Sequence, residues 1–333
     1  MRSFRNWDIY YLQEYARSFN IHGDGIPYLL DYRDDESHFS YVVMKKDIGE
    51  SPEFKGLIKS GKFFDLETPY GYGGPLYDSP ISKKSEKAFL KEMTDLSLEN
   101  GIISQFVRFH PLLNNYNMPL VFETRYLHDT IFIDTENPEI IFNNLDSKNR
   151  NMIRKAEKSG ITISRRPIED YDDFLPIYRE TMERDNAEKY YFFDESYFRS
   201  QLALKENACI FYAIYEGRPI GGAIMYFNDR FMHYHLAGTL TEYRKYAPGN
   251  LLLYEAALWA SQMGIKKLHL GGGMSDNDNL FRFKKKFNKN GRLPFVIGRT
   301  IFDKGGYDRL MKIREENDHS FDSSNNRMIQ YRA

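Results

Sequence analysis

The stretch LHLGGGMSDNDNLFRFKKKF, residues 268–287, holds residue types suited to meeting an anion: three glycines, a polar turn, then lysines on a short aromatic segment. A phosphate loop of the G-x-x-x-x-G-K-[ST] kind needs its lysine directly after the last glycine, so that the ammonium reaches the phosphates the loop cradles. Here Met274, Ser275 and Asp276 follow Gly273, which excludes that loop and the G-x-G-x-x-G turn alike. Asp276 and Asp278 imitate the opening of a calcium loop, but its sixth-position glycine and twelfth-position glutamate are missing. Gly271 to Gly273 instead read as a place where a strand leaves its sheet, with backbone packed closely or approaching a ligand. On a helix turning about 100° per residue, Leu280, Phe281, Phe283 and Phe287 form one apolar arc. Lys284 falls inside that arc, while Arg282, Lys285 and Lys286 fall outside it. A lysine on an inward arc costs free energy unless an anion or a polar cavity meets its ammonium; snorkelling to the surface is the alternative. Lys284 is thus the one charge of the segment with a geometric reason to enter a site.

Other side chains could do chemistry as well. Arg150, Arg154 and Lys158 recur every four residues opposite Met152, Ile153 and Ala156, which reads either as a solvated face or as a cradle for phosphates. In TPYGYGGP, Thr68 to Pro75, the glycines serve a turn or let backbone N–H groups approach a carbonyl or phosphate oxygen, with Tyr70 or Tyr72 adding a hydroxyl. His233 and His235 share a strand face that zinc could use, yet no third ligand with recognisable spacing accompanies them; core or surface histidines are the better reading, and no metal is expected. Cys209 sits inside the apolar run ACIFYAIY as a buried thiol. G-x-S-x-G and H-E-x-x-H are absent, which removes the serine and zinc hydrolase signatures.

The elements that must position these residues follow from periodicity. The first half reads as strands IPYLLDYR, HFSYVVMKKDI and KFFDLETPYG, a helix over 82–99, then strands IISQFVRFHP and PLVFETRYLHDTIFIDT. A helix KNRNMIRKAEKSG, capped by Asp146 or Ser147, marks the domain boundary. Next come the strand ITISRR, helical runs over 171–185 and 195–206, and a meander of antiparallel strands over 208–238. The helix NLLLYEAALWASQM is apolar on nearly all sides and must be sandwiched. The strand KKLHL, the short lysine-bearing helix and a last strand RLPFVIGRTIF finish the second half as a crossover. The expected class is α/β with mixed α+β sheets: a domain at 1–145, onto which the C-terminal tail packs back, a second at 146–316, and a polar tail at 317–333. Forty-six basic against forty-seven acidic residues give no overall basic field, so DNA is not an expected partner. With 41% hydrophobic residues, one cysteine and no long apolar window, the expectation is a cytoplasmic protein without disulfides or a transmembrane segment.

With RNMIRKAEKSGI, HLAGTLTEYRKYAPGNLLLYEAALWASQMGIKKLHLGGG and LFRFKKKF in view, the chain resembles the FemABX family of aminoacyl and peptidyl transferases and related acetyltransferase-like proteins. TPYGYGGP and RFHP extend the likeness into the first half. The resemblance implies two tandem GNAT-like domains with mixed, mainly antiparallel sheets flanked by helices. It implies transfer of an acyl or aminoacyl group from an activated donor to an amine of a phosphorylated cell-envelope precursor or a small molecule, with tRNA as a further candidate partner. Lys284 matches the family lysine tied to substrate binding and catalysis. Arg150, Arg154, Arg108, Tyr70, Tyr72, Gly73, Tyr243, Arg244 and Asn250 are carried over as substrate-binding residues. No tightly bound cofactor is expected; acyl-CoA or aminoacyl-tRNA would enter as co-substrate. Where acetyltransferases hold pyrophosphate on a glycine-rich turn before a helix, this chain has YRKYAPGNLLLYE with a single glycine, Gly249. That departure disfavours a tightly held CoA.

Overall fold

Turn residues and apolar alternation divide the first 127 residues into two α-helices and four strands before the chain moves on. A computed structural model describes residues 1–273, 275 and 277–333; Met274 and Asp276, and with Asp276 the calcium-loop reading, lie outside the described residues. Helix α1 (Gln13–His22) stops at Gly23, whose φ of 100° no side-chain-bearing residue adopts cheaply. Strands β1 (Ile26–Arg33), β2 (His38–Asp47) and β3 (Phe64–Glu67) follow, then α2 (Lys83–Glu99) and β4 (Ile102–Arg108). Ser82 starts α2 by accepting the Ser85 amide at 3.1 Å. Strand β5 (Glu123–Asp134) carries the chain into a second unit.

That unit contains α3 (Pro138–Asn144), α4 (Ser147–Lys158), β6 (Thr162–Pro167), α5 (Phe174–Arg184), α6 (Glu195–Ser200), β7 (Ala208–Tyr215), β8 (Arg218–Phe227), β9 (Phe231–Thr239), α7 (Pro248–Gln262), β10 (Lys267–Gly271) and α8 (Asn279–Lys285). Strand β11 (Arg292–Ile301) leads back to the first unit, which ends with α9 (Lys304–Asn317). The first unit comprises residues 1–127 and 295–333, the second 128–294.

In the first unit the strands lie in the order β1-β2-β3-β4-β11, with β3 and β4 parallel and the other pairs antiparallel. In the second the order is β5-β10-β9-β8-β7-β6, with only β9 and β10 parallel. A parallel pair needs a long crossover, which α2 supplies in one unit and α7 in the other. α7 is apolar all round because it is covered on several sides: Leu251, Leu252, Leu253, Ala256, Ala257 and Ala260 are all buried, in one core with Ile153 and Ala156 of α4 and with Phe211 and Met225 of the sheet. Each of those leucines stabilises the fold by about 1.5–3 kcal/mol.

The division differs from the boundary drawn at residue 145 and from a second domain reaching 316. Ile131, Ile133, Ile141 and Leu145 belong to the core built around α7, so the chain is already in the second unit before α4 begins. From residue 295 on, strand β11 belongs to the first unit, where it pairs with β4. Helix α9, which polar spacing hides from view in the sequence, buries Tyr307 and Leu310 with Ile48, Phe54, Ile103 and Tyr331.

Beside that cluster lies a knot of charge. Asp65, almost wholly buried, accepts from Ser104 Oγ (2.7 Å), Tyr331 Oη (2.5 Å) and Arg332 Nε (2.9 Å). Glu67 is paired with Arg108, with Lys46 at 3.2 Å and with Arg332 at 2.9 Å. Burial pushes the Glu67 carboxyl up, but Arg108, Lys46 and Arg332 together outweigh it and hold the group well below the usual carboxylate range. Replacing Arg332 with Ala takes the guanidinium from buried Asp65 and one of three cations from Glu67, so we expect a loss of about 3 kcal/mol in urea unfolding at pH 7. Because the folded-state pKa of Glu67 is depressed, its contribution is present above the unfolded value of about 4.3 and is lost as pH falls below it. The gap between wild type and Arg332→Ala should therefore narrow in acid; an equal gap at pH 7 and pH 3 would refute this account.

Candidate functional site

Strands β9 and β10 pair at Lys267 with Phe231, Leu268 with Met232 and His269 with His233. Beyond those pairs β9 runs on from Tyr234 to Thr239 against β8, while β10 departs through Gly271 at φ 72°. The sheet consequently opens at this point. On β9 the register against β8 slips between Leu236 and Tyr234, so His235 is an extra residue, a bulge of the kind that re-aims side chains beside sites. His235 lies tilted against the Tyr226 ring at 4.4 Å and meets the Tyr197 hydroxyl at 2.8 Å. Burial, then the neighbouring His233, push its imidazole down to about 3, which keeps the ring neutral. His233 packs against His269 at 5.7 Å, and His269 Nε2 is 3.0 Å from Thr130 Oγ1.

The three glycines position what closes the opening. A Cβ on Gly272 would stand 2.6 Å from His128 Cε1, and one on Gly273 would collide with the Asp278 carboxylate. Asp278 uses that carboxylate to cap α8, accepting the Phe281 amide at 2.7 Å and the Ser275 amide at 3.1 Å. The glycines therefore serve close backbone approach, and the aspartate starts the helix. From α8, Phe281 points into the core and Lys284 is only 7% exposed, whereas Arg282 and Lys286 are exposed. Leu280, placed by spacing on the inward arc, is 45% exposed because it lies in the first turn, at the rim. The Lys284 ammonium donates to Gly272 O at 2.7 Å and sits 5.8 Å over the Tyr234 ring. Burial pushes the ammonium down to about 8, with the Asp278 charge offsetting part of the shift. A cation poised between its two forms thus lies against β9 where β10 has left it.

Three helix ends meet here. Asn149 Nδ2 and the Asp146 amide both donate to Lys286 O, at 3.2 and 2.9 Å, and Asn250 Nδ2 donates to Asn149 Oδ1 at 2.7 Å. The N-termini of α4 and α7 are thereby tied to the end of α8. Asn250 is thus placed as a buried structural link. Arg150, half-buried and 5.3 Å over the Phe142 ring, lines a small cavity of about 120 Å³ with Arg154, Glu157 and Tyr254. Arg154 and Lys158 are exposed, and Glu157 sets a negative charge beside the two arginines. Tyr243 packs against Tyr215 at 5.7 Å, and Arg244 is exposed.

The remaining sequence-predicted residues lie in the first unit. Arg108 is engaged by Glu67 and donates to Thr68 O at 3.0 Å. The Gly73 amide donates to Arg108 O at 2.7 Å, and its carbonyl accepts from Tyr11 and Asn115 at 2.9 Å each. An amide so committed does not serve as the oxygen-binding donor that the glycine-rich turn suggested. Tyr70 accepts the Tyr15 hydroxyl on its carbonyl at 2.6 Å. Tyr72 meets Tyr10 and Phe295 edge to face at 5.4 and 5.3 Å, and burial pushes its phenol up. Residues that sequence reasoning passed over include Tyr234, which stands between two noted histidines, and Asn149, whose signal was a polar residue on the inward side of α4.

Residues 145–285 match the family model of the acetyltransferase (GNAT) domain. Over the whole chain, a solved structure of FemX aligns with a TM-score of 0.70 and 15% identity, covering 92% of this chain and 96% of that one. The chain has the fold of FemX. The C-terminal domain of a putative lysylphosphatidylglycerol synthetase from Agrobacterium fabrum aligns at TM-score 0.56 and 10% identity, covering 91% of this chain and 94% of its own. L-PGS from Bacillus licheniformis aligns at 0.54 and 13%, covering 84% and 85%. No curated protein matches by sequence. The GNAT domain match and these folds support a transferase. Among the described residues no helix is long and apolar enough to cross a membrane.

Lys284 gives this site a pH signature. Its folded-state pKa of about 8 lies below the unfolded value of about 10.4, so between them the unfolded chain binds more protons and stability rises with pH. Urea midpoints for wild type, referenced to Lys284→Met, should climb from pH 8 to pH 10; a flat difference would show that the ammonium is not desolvated.

Proposed function

We propose that the chain is an acyltransferase that moves an acyl or aminoacyl group from an activated donor to an amine of a cell-envelope precursor. The observation that carries this reading is Lys284: a largely dehydrated ammonium, held by Gly272 O at 2.7 Å, beside the gap between β9 and β10. In an acyl transfer the amine attacks an ester or thioester carbonyl, and negative charge develops on its oxygen. A pre-placed cation in a low-dielectric setting stabilises that charge without reorganising, or fixes a donor phosphate at the same point. No covalent enzyme intermediate is needed: as the C–N bond forms, the donor's C–O or C–S bond breaks, and the amine's proton passes, directly or through water, to the departing hydroxyl or thiol of the donor.

Two donors fit that chemistry, and the start of α7 favours aminoacyl-tRNA over acyl-CoA. A helix N-terminus grips pyrophosphate through its free amides. Here Pro248 has none, and the Asn250 amide already donates to Ala247 O at 3.1 Å. The likeness to FemX and to a putative lysylphosphatidylglycerol synthetase supports the same choice. The exposed arginines of α4, Arg154 with half-buried Arg150, would meet phosphates of donor or acceptor. Cytoplasmic location follows from these substrates.

The test is to incubate the protein with charged tRNA and, separately, acetyl-CoA, against a muropeptide precursor and simple amines, and to weigh the products by mass spectrometry. Transfer from charged tRNA is expected; transfer from acetyl-CoA alone would select the other donor. Lys284→Ala should slow turnover by about 100-fold or more with an unchanged circular dichroism spectrum. Full turnover in that variant would remove Lys284 from the mechanism.

A further inference from the structure

The first unit contains a cavity of about 410 Å³ between α1 and the strands β1 and β2. That volume falls within the range of pockets that take small organic ligands, roughly 300–1,000 Å³. One wall is Leu12 and Ala16, four residues apart at the start of α1. The other is Pro27 and Leu29, which share a face of β1, with Val42 of β2 directly opposite Leu29. All five side chains are apolar. Leu29 nevertheless remains 54% exposed, so α1 does not cover the strand face it stands over. Ile26 and Tyr28, which alternate with Pro27 and Leu29 along β1, are 58% and 46% exposed, so the strand is apolar and uncovered on both faces.

β1 is the first strand of its sheet and pairs with β2. Edge strands are ordinarily guarded by charge, and an apolar stretch here signals something that covers it. Strand addition by a peptide suits this edge badly, because Pro27 offers no N–H to a partner. The charged residue of the lining is Arg2, exposed and 5.3 Å over the Trp7 ring. The Tyr11 hydroxyl, another lining group, already donates to Gly73 O at 2.9 Å. The walls thus call for an alkyl body and the rim for an anion.

We propose that this cavity binds a single-chain amphiphile with an anionic head, its alkyl chain between α1 and β1 and its head beside Arg2. The site is separate from the acyltransferase reading and stands whether or not that reading holds.

Dodecanoate, kept below its micellar concentration, is the probe, and dodecyltrimethylammonium is its charge-reversed control. Calorimetry on the full chain should give one dodecanoate per protein, with a saturable rise in Tm, and about tenfold weaker binding of the cationic amphiphile. Leu29→Asp, at a largely exposed position, should weaken dodecanoate about tenfold or more while keeping the wild-type circular dichroism spectrum. Arg2→Glu should reverse the preference between the two heads. The proposal fails if wild type shows no saturable dodecanoate binding, or if Leu29→Asp binds it equally well. It also fails if sedimentation reveals a dimer that Leu29→Asp dissolves, since a second copy would then be what covers β1.

Discussion

An ammonium taken out of water must be met by oxygen or lose its proton, and much of the second unit can be understood as the means of meeting Lys284. The partner is a backbone carbonyl, Gly272 O, beyond the end of a strand. A strand that paired along its whole length would spend such carbonyls on its neighbour. β10 instead leaves β9 after His269, turning through Gly271 in the left-handed region, and the two following glycines let the chain press against His128 and Asp278. The same Asp278 that crowds Gly273 begins the helix that returns Lys284 to the carbonyl.

The parting of two parallel strands has a cause one level up. Parallel neighbours cannot be joined by a tight turn, so α7 must span from the end of β9 to the start of β10. Its covering on several sides explains a helix with no polar face, and the buried Asn250–Asn149 contact fixes where its first turn stands against α4. A hydrogen-bonded pair of asparagines in an apolar contact costs little when both are satisfied and disfavours other registers. Acyl transfer chemistry would thus rest on backbone geometry set by packing, with one side chain supplying charge.

Much of this was legible in the sequence. The strands of both halves, the meander, the apolar α7 and the inward place of Lys284 follow from periods of two and 3.6, which depend on local burial alone. Helices α1 and α9 were not seen, because their buried residues, among them Tyr15, Phe19, Tyr307 and Leu310, are interspersed with many polar ones. The two units divide the chain elsewhere than at residue 145 for another reason. Strand pairing across a long sequence separation, as between β4 and β11, leaves no periodic trace. Neither do the Tyr234 ring under Lys284 or the closure of Gly73's amide and carbonyl, both of which depend on which segments the fold brings together.

The return of β11 and α9 to the first unit sets an order of events on the ribosome. Residues 128–294 form a continuous segment and can collapse around α7 as soon as they emerge. The first unit waits with β4 lacking its β11 neighbour, and with Asp65 and Glu67 lacking the guanidinium of Arg332, until residues 295–333 have been made. The portion synthesised first is therefore completed last, and during that interval its open strand edge is the chain's point of exposure to chaperones and to misassembly.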